Sequence, residues 1–284
     1  MYAYTCIPYP SLARNWTKGE VNIVTSVDEN PRQPNSFKTS EGKLFAVKIC
    51  SLTITSIFYA WLQQRYPHAL YCGDVFRREI VLTFDDGPHP RDTPQVLDIL
   101  AKHNIHATFF LIGQNVERYP HLVKKIHQNG HQLALHCYRH LPFPLEHPSS
   151  LRKGLDHTRG LMADICGISP EAIRYVRPPY GFFTTRTLSL LNSWGYHLVI
   201  WNSIPLHWIQ PVHWTIEQII HEVRPGSVIV LHDGKGHGLR VAQIADAIIP
   251  MLQALNFVFI KVEHMKGNHV NVSSTASDPS GKYR

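Results

Sequence analysis

Seven short apolar runs, rich in β-branched and aromatic residues, recur between residues 79 and 261. They are 79–84 (EIVLTF), 107–112 (ATFFLI), 132–135 (QLAL), 173–176 (IRYV), 197–201 (HLVIW), 227–231 (SVIVL) and 256–261 (NFVFIK). Helix-like segments separate them, at 94–103, 115–129, 148–166, 184–194, 215–223 and 239–255. Strands that alternate with helices pair in parallel, so the pattern predicts an α/β domain, either a barrel or a doubly wound sheet. Gly130, Gly195 and Gly226 stand just before the third, fifth and sixth runs, where helix-ending turns want glycine. No fixed-period repeat accompanies the alternation.

The flanks read differently. Residues 1–42 are polar and include the linker-like DENPRQPNS, while 265–284 read as a flexible tail. Residues 43–77 join a hydrophobic segment to a linker. Within them 44–62 (LFAVKICSLTITSIFYAWL) form the longest apolar stretch, interrupted by Lys48. Two readings stand open: a signal or membrane anchor, or a helix that packs over one end of the barrel. The first places the protein in the cell envelope or outside the cell. The second leaves a cytoplasmic location open.

The formal net charge of +7 suits anionic surroundings. No dense Lys/Arg stripe or nucleic-acid motif goes with it, so the charge reads as solvated surface, with no specific nucleic acid as partner. The five cysteines are scattered and odd in number, form no CxxC pair, and leave the redox compartment open.

Polar residues collect at the ends of the runs. Asp85-Asp86 follow the first, His136 the third, Arg177-Pro178-Pro179-Tyr180 the fourth, Trp201-Asn202 the fifth and His232-Asp233 the sixth. All lie at C-terminal strand ends, where α/β barrels place their active sites. Adjacent side chains on a strand point to opposite faces, so a strand cannot hide both Asp85 and Asp86. A helix N-cap followed by a turn is one explanation. A site that uses negative charge is the other.

The chemistry of the second is specific. His136 and His140, four residues apart, fall on one face of a helix or tight turn. With the carboxylate of Asp86 they make a His₂Asp set that leaves positions for water and substrate, as in catalytic zinc sites. A divalent ion there polarises a carbonyl and acidifies its water. Asp85 is then free to act as general base, with Arg177 to hold it. The backbone N–H of Tyr180, in a loop stiffened by Pro178 and Pro179, is a candidate oxyanion donor. His232 would face the ion from across the mouth and protonate a leaving amine, with Asp233 to orient it. Base, metal and acid in this order suit hydrolysis of an amide or ester.

TFDDGP, HCYRH, RPPYG, the Trp201–Trp208 stretch and VLHDG, in that order, resemble the five motifs of the polysaccharide deacetylases, carbohydrate esterase family 4. The resemblance runs from about residue 78 to 264 and implies one catalytic domain over that span, a distorted (β/α)7 barrel behind an N-terminal extension. It implies removal of N-acetyl groups from chitin, chitooligosaccharides or peptidoglycan, or of O-acetyl groups from xylan. It also implies Asp85 as base, Asp86, His136 and His140 as ligands of one divalent metal ion, His232 as acid and Arg177 as the group that positions the base. Val230, two residues before the acid, looks like part of an acetyl-methyl pocket, with Leu231 beside it and Trp208 as another wall. Zinc is the ion these ligand types favour; cobalt, nickel or other divalent ions are admitted.

Two positions depart from the family pattern. Cys137 replaces the usual Ser or Thr after the first histidine. The acidic residue usual before the second tryptophan is His207, and no carboxylate occurs from 201 to 208. Such an acid tunes the catalytic histidine, so its loss is expected to weaken the acid step or shift its pH. An O-acetyl esterase on the same fold, or a silent carbohydrate-binding homologue, are the alternatives. The partner in each case is an acetylated polysaccharide or oligosaccharide.

Overall fold

The computed structural model describes residues 61–62, 64–234 and 238–265. Its elements run β1 (Glu79–Asp85), α1 (Asp92–Lys102), β2 (Thr108–Ile112), α2 (Gly113–Arg118), α3 (Pro120–Gln128), β3 (Gln132–Cys137), α4 (Pro148–Cys166), β4 (Tyr175–Val176), α5 (Thr185–Ser193), β5 (His197–Leu198), α6 (Val212–Glu222), β6 (Val228–His232), α7 (Gly238–Ala254) and β7 (Val258–Ile260). The strands lie in the order β5-β4-β3-β2-β1-β6, with β7 also on β1, and every pairing is parallel. Each crossover carries a helix, as parallel pairing requires.

The two ends of that strand order meet. Leaving β5, the chain pairs in parallel at Ser203 with Ile229 of β6, and the Val230 N–H donates to the Ser203 carbonyl at 3.0 Å. A flat sheet cannot make this contact, so the strands curl into a distorted (β/α)7 barrel. β4 and β5 are two residues each, and the irregular chain beside them is the distortion.

Alternation along the strands sorts the side chains into two layers. Val81, Phe110, Ala134, Tyr175, Val199 and Val228 form a buried cluster inside the barrel. Ile80, Leu82 and Phe84 alternate with the inward residues of β1 and are fully buried, and Phe84 stacks on Phe109 with centroids 5.0 Å apart. Truncating a fully buried side chain of this size costs about 2–5 kcal/mol.

Two expectations change. The predicted helix 115–129 is two helices, because Tyr119 leaves the helical region (φ −131°, ψ 55°) before Pro120, which opens α3. A residue that precedes proline is pushed out of helical geometry, and proline at a first helical position loses no hydrogen bond. The second concerns residues 69–73, which read as linker but belong to the barrel. Ala69, Leu70 and Tyr71 are buried, and Leu70 pairs in parallel with Val199. Gly73 N–H donates to the Gly226 carbonyl at 2.8 Å. A Cβ on Gly226 would lie 2.7 Å from the Gly73 oxygen, and Gly226 has φ +82°, so only glycine fits there. Most of the apolar run 44–62 lies outside the described residues, and among those described no helix is long and apolar enough to cross a membrane.

Candidate active site

Strand register builds the site. Asp85 closes β1 on its inward face, level with Phe110 of β2 and His232 of β6. His136 stands two residues beyond Ala134 on the inward face of β3. Asp86 would point outward if the strand continued. It takes up a left-handed conformation instead (φ 74°), which Asp tolerates better than most residues. Its Oδ1 comes within 3.3 Å of His136 Nε2 and 3.0 Å of His140 Nε2. Asn115 fastens the turn by donating to the Asp86 carbonyl at 2.9 Å.

The ligand atoms of Asp86, His136 and His140 all lie within 4.8 Å of one another. Both rings are held from behind. His136 Nδ1 lies 2.9 Å from the Arg177 carbonyl, and His140 Nδ1 3.2 Å from the Tyr180 hydroxyl. The first bond requires a proton on Nδ1 and leaves Nε2 as a lone-pair donor, the usual support of a metal-ligating histidine. Burial alone would raise the pKa of Asp86. The imidazoles of His136 and His140 against its oxygen, with His232 nearby, outweigh it and hold the carboxyl well below the usual range. The donor set, its tautomers and its ionised carboxylate therefore fit a divalent cation. The histidine pair reaches the site from a strand end and the bend at 138–140, so the tight turn is correct and the helix is not.

Asp85 has a different partner. Arg177, fully buried, donates Nη1 to Asp85 Oδ1 at 2.7 Å and to Thr83 Oγ1 at 2.7 Å. Its other nitrogens reach the carbonyls of Val199 and Ile200, and its guanidinium carbon lies 3.9 Å from the Phe110 ring centroid. On the opposite wall, at the end of β6, the His232 ring meets Trp208 edge-on at 5.2 Å.

Comparisons with known proteins give the family. The family model described as polysaccharide deacetylase matches residues 73–199. A peptidoglycan-N-acetylglucosamine deacetylase of Bacillus cereus is 32% identical over 209 residues, which span 73% of this chain and 74% of that protein. The chain belongs to the polysaccharide deacetylase family. A chitooligosaccharide deacetylase of Azorhizobium caulinodans is 32% identical over 190 residues, 63% of this chain and 90% of that one. Among solved structures, a peptidoglycan N-acetylglucosamine deacetylase in complex with 4-naphthalen-1-yl-N-oxidanyl-benzamide superposes with a TM-score of 0.68 at 30% identity, covering 73% of this chain and 95% of that one.

Within this polysaccharide deacetylase fold, two residues sit elsewhere than expected. The Asp233 carboxylate accepts from Thr93 Oγ1 on α1, not from His232. Asp233 is fully buried, its oxygens lie where a Cβ on Gly87 would go, and burial pushes its pKa up to about 7. It supports the Asp86–Gly87 turn from below. Leu231 lies beside Phe84 in register, one residue out of phase with His232, and faces the helix layer. Val230 shares the inward face with His232.

Tyr180 stands at the mouth, 58% exposed, with a left-handed backbone (φ 58°). Such a conformation in a bulky residue costs on the order of 1–3 kcal/mol and is characteristic of functional turns. Trp201 underpins that loop, since its ring fills the place a Cβ on Gly181 would take.

Sequence reasoning missed Thr83, Phe110 and Asn115 as supports. Thr83 had a signal, being two residues before Asp85 and so on its face. The other two come from β2 and α2, and nothing in their local sequence announces the contact.

Proposed function

We propose that this chain is a metal-dependent carbohydrate N-deacetylase acting on N-acetylated sugars of the chitooligosaccharide or peptidoglycan type. The observation that carries the reading is the Asp86–His136–His140 cluster beside a separately held Asp85. Asp86, His136 and His140 would hold the ion, with zinc as the default. When bound, the ion supplies Lewis-acid polarisation of the acetyl carbonyl and the attacking water.

The chain's own residues do the rest. Asp85, fixed by Arg177, takes a proton from the water as it attacks the acetyl carbon. The Tyr180 backbone N–H would donate to the oxygen that gains charge. His232 gives a proton to the sugar nitrogen as the C–N bond breaks, so that acetate and a free amine leave. Val230 and Trp208 would enclose the acetyl methyl. A peptidoglycan-type substrate would place the enzyme at the cell envelope, with residues 44–62 as signal or anchor.

The test is acetate release from N-acetylated chitooligosaccharides, peptidoglycan fragments and acetylated xylan, with and without added zinc or cobalt. Metal-dependent release from either N-acetylated class is the expected result. Release from xylan alone would make the chain an O-acetyl esterase. No release from any, with metal bound, would favour a silent carbohydrate-binding homologue.

A further inference from the structure

The scheme above leaves unused a buried imidazole at the barrel mouth. His207 is 0% exposed and stacks on the His232 ring, with centroids 5.0 Å apart and planes inclined at 27°. Its Nε2 is 3.2 Å from the backbone nitrogen of His232, and its Nδ1 is 3.2 Å from the Pro205 carbonyl oxygen. A nitrogen that accepts from an N–H carries no proton itself, so Nδ1 is the donor to Pro205 and the ring is the neutral Nδ1–H tautomer. Both nitrogens are committed.

Other groups fix His207 in turn. Trp208 stands edge-on to it at 5.2 Å and edge-on to His232 at the same distance. Arg240, on α7, reaches across with Nη1 3.3 Å from the His207 carbonyl. The turn also runs beside β6, where the Ser203 carbonyl accepts the Val230 N–H. His207 therefore meets the last residue of β6 at two points, its backbone N–H and its ring face. A strand-end side chain has several staggered rotamers, and proton transfer uses one of them.

We propose that His207 is a positioning residue for His232. Its Nε2 acceptor fixes the backbone at the end of β6, and its ring face restricts the His232 imidazole to the orientation that delivers a proton. This rests on the reading of His232 as the acid, and it makes a histidine the working replacement for the carboxylate that the fourth motif lacks.

Two substitutions separate the two contacts. His207→Gln keeps an acceptor near Nε2 and loses the ring face; His207→Phe keeps the ring face and loses the acceptor. Each is expected to lower kcat on the order of 10- to 100-fold with KM and bound metal unchanged, the scale on which small misplacements act. The same substitutions in a His232→Ala background are expected to change the residual rate little, since positioning has nothing left to act on. Equal losses in both backgrounds, or full kcat in both single variants, would overturn the proposal. If His232→Ala itself kept full turnover, the assignment of the acid would fail and the positioning role with it. Should either variant not fold, nitrogen-15 spectra of the unsubstituted protein carry the test: a neutral Nδ1–H form of His207 is expected, and an Nε2–H form contradicts it.

Discussion

Arg177 Nη1 lies 2.7 Å from Asp85 Oδ1, with the arginine side chain 0% and the aspartate side chain 2% exposed. Two opposite charges taken out of water are tolerated when each finds further hydrogen bonds. Thr83 Oγ1 and the Val199 and Ile200 carbonyls accept these from the guanidinium, and the Phe110 ring lies against its face. Burial pulls the Arg177 pKa down from its usual value and the Asp85 charge opposes this. The pair is thus a fixed carboxylate at the barrel mouth, held by a guanidinium anchored in the barrel interior.

Removing one member leaves the other buried and uncompensated. Arg177→Met is expected to lower stability by about 3–5 kcal/mol, the usual cost of breaking such a pair, and to abolish turnover. Arg177→Lys will not restore either, because a single ammonium cannot replace the planar fork that reaches four partners. Denaturant unfolding and acetate release on the same samples check both.

Asp233 makes the stability of the fold depend on pH. Its pKa is raised to about 7 in the fold by burial, against about 3.9 in an unfolded chain. The folded state therefore binds more protons over that window, and the contribution of Asp233 to stability is full below pH of about 4 and lost as the pH rises toward about 7. Asp233→Asn is neutral throughout and can still accept from Thr93. Relative to the parent, the metal-free variant is expected to gain stability by up to a few kcal/mol between about pH 4 and pH 8, as one pKa unit is worth about 1.4 kcal/mol. A constant difference across that range would show that Asp233 ionises normally.

Tyr138 lies between His136 and His140 in sequence, and its seat depends on glycine. A Cβ on Gly113 would come within 2.6 Å of Tyr138 Cδ2, and one on Gly154 within 2.9 Å of its Cβ. The Gln114 N–H donates to its carbonyl at 3.1 Å, and its hydroxyl donates to Glu117 at 3.2 Å. Gly113→Ala is expected to displace Tyr138 and with it the His136–His140 spacing. Metal affinity would fall about 10- to 100-fold, the range for lost ligand supports. A competition titration against a chelator measures this without any substrate.

Much of this was legible in the chain before any coordinates. Charged residues at the ends of apolar runs are conspicuous, and parallel strands put all those ends on one face, so Asp85, Asp86, His136, Arg177 and His232 could be gathered without distances. What failed was whatever depends on phase or on contact across the barrel. Adjacency in sequence puts Asp233 beside His232, yet consecutive residues diverge at a strand end, and its carboxylate turns to Thr93. Leu231 fails by the same one-residue alternation. Leu70 joins the sheet through a single parallel bridge to Val199, too short to leave a periodicity. His207 registered only as a missing acid, because its stack on His232 joins residues 25 positions apart.

Asp85 and Asp86, neighbours in sequence, are proposed to do separate work: one takes a proton and the other holds the ion. Bound metal and kcat measured together on Asp85→Asn and Asp86→Ala distinguish the two roles. Asp86→Ala is expected to lose metal and turnover together. Asp85→Asn is expected to keep stoichiometric metal while kcat falls on the order of 10²- to 10⁴-fold, the usual contribution of a general base. Full turnover in Asp85→Asn, or metal retained at parental affinity in Asp86→Ala, would contradict the division of roles.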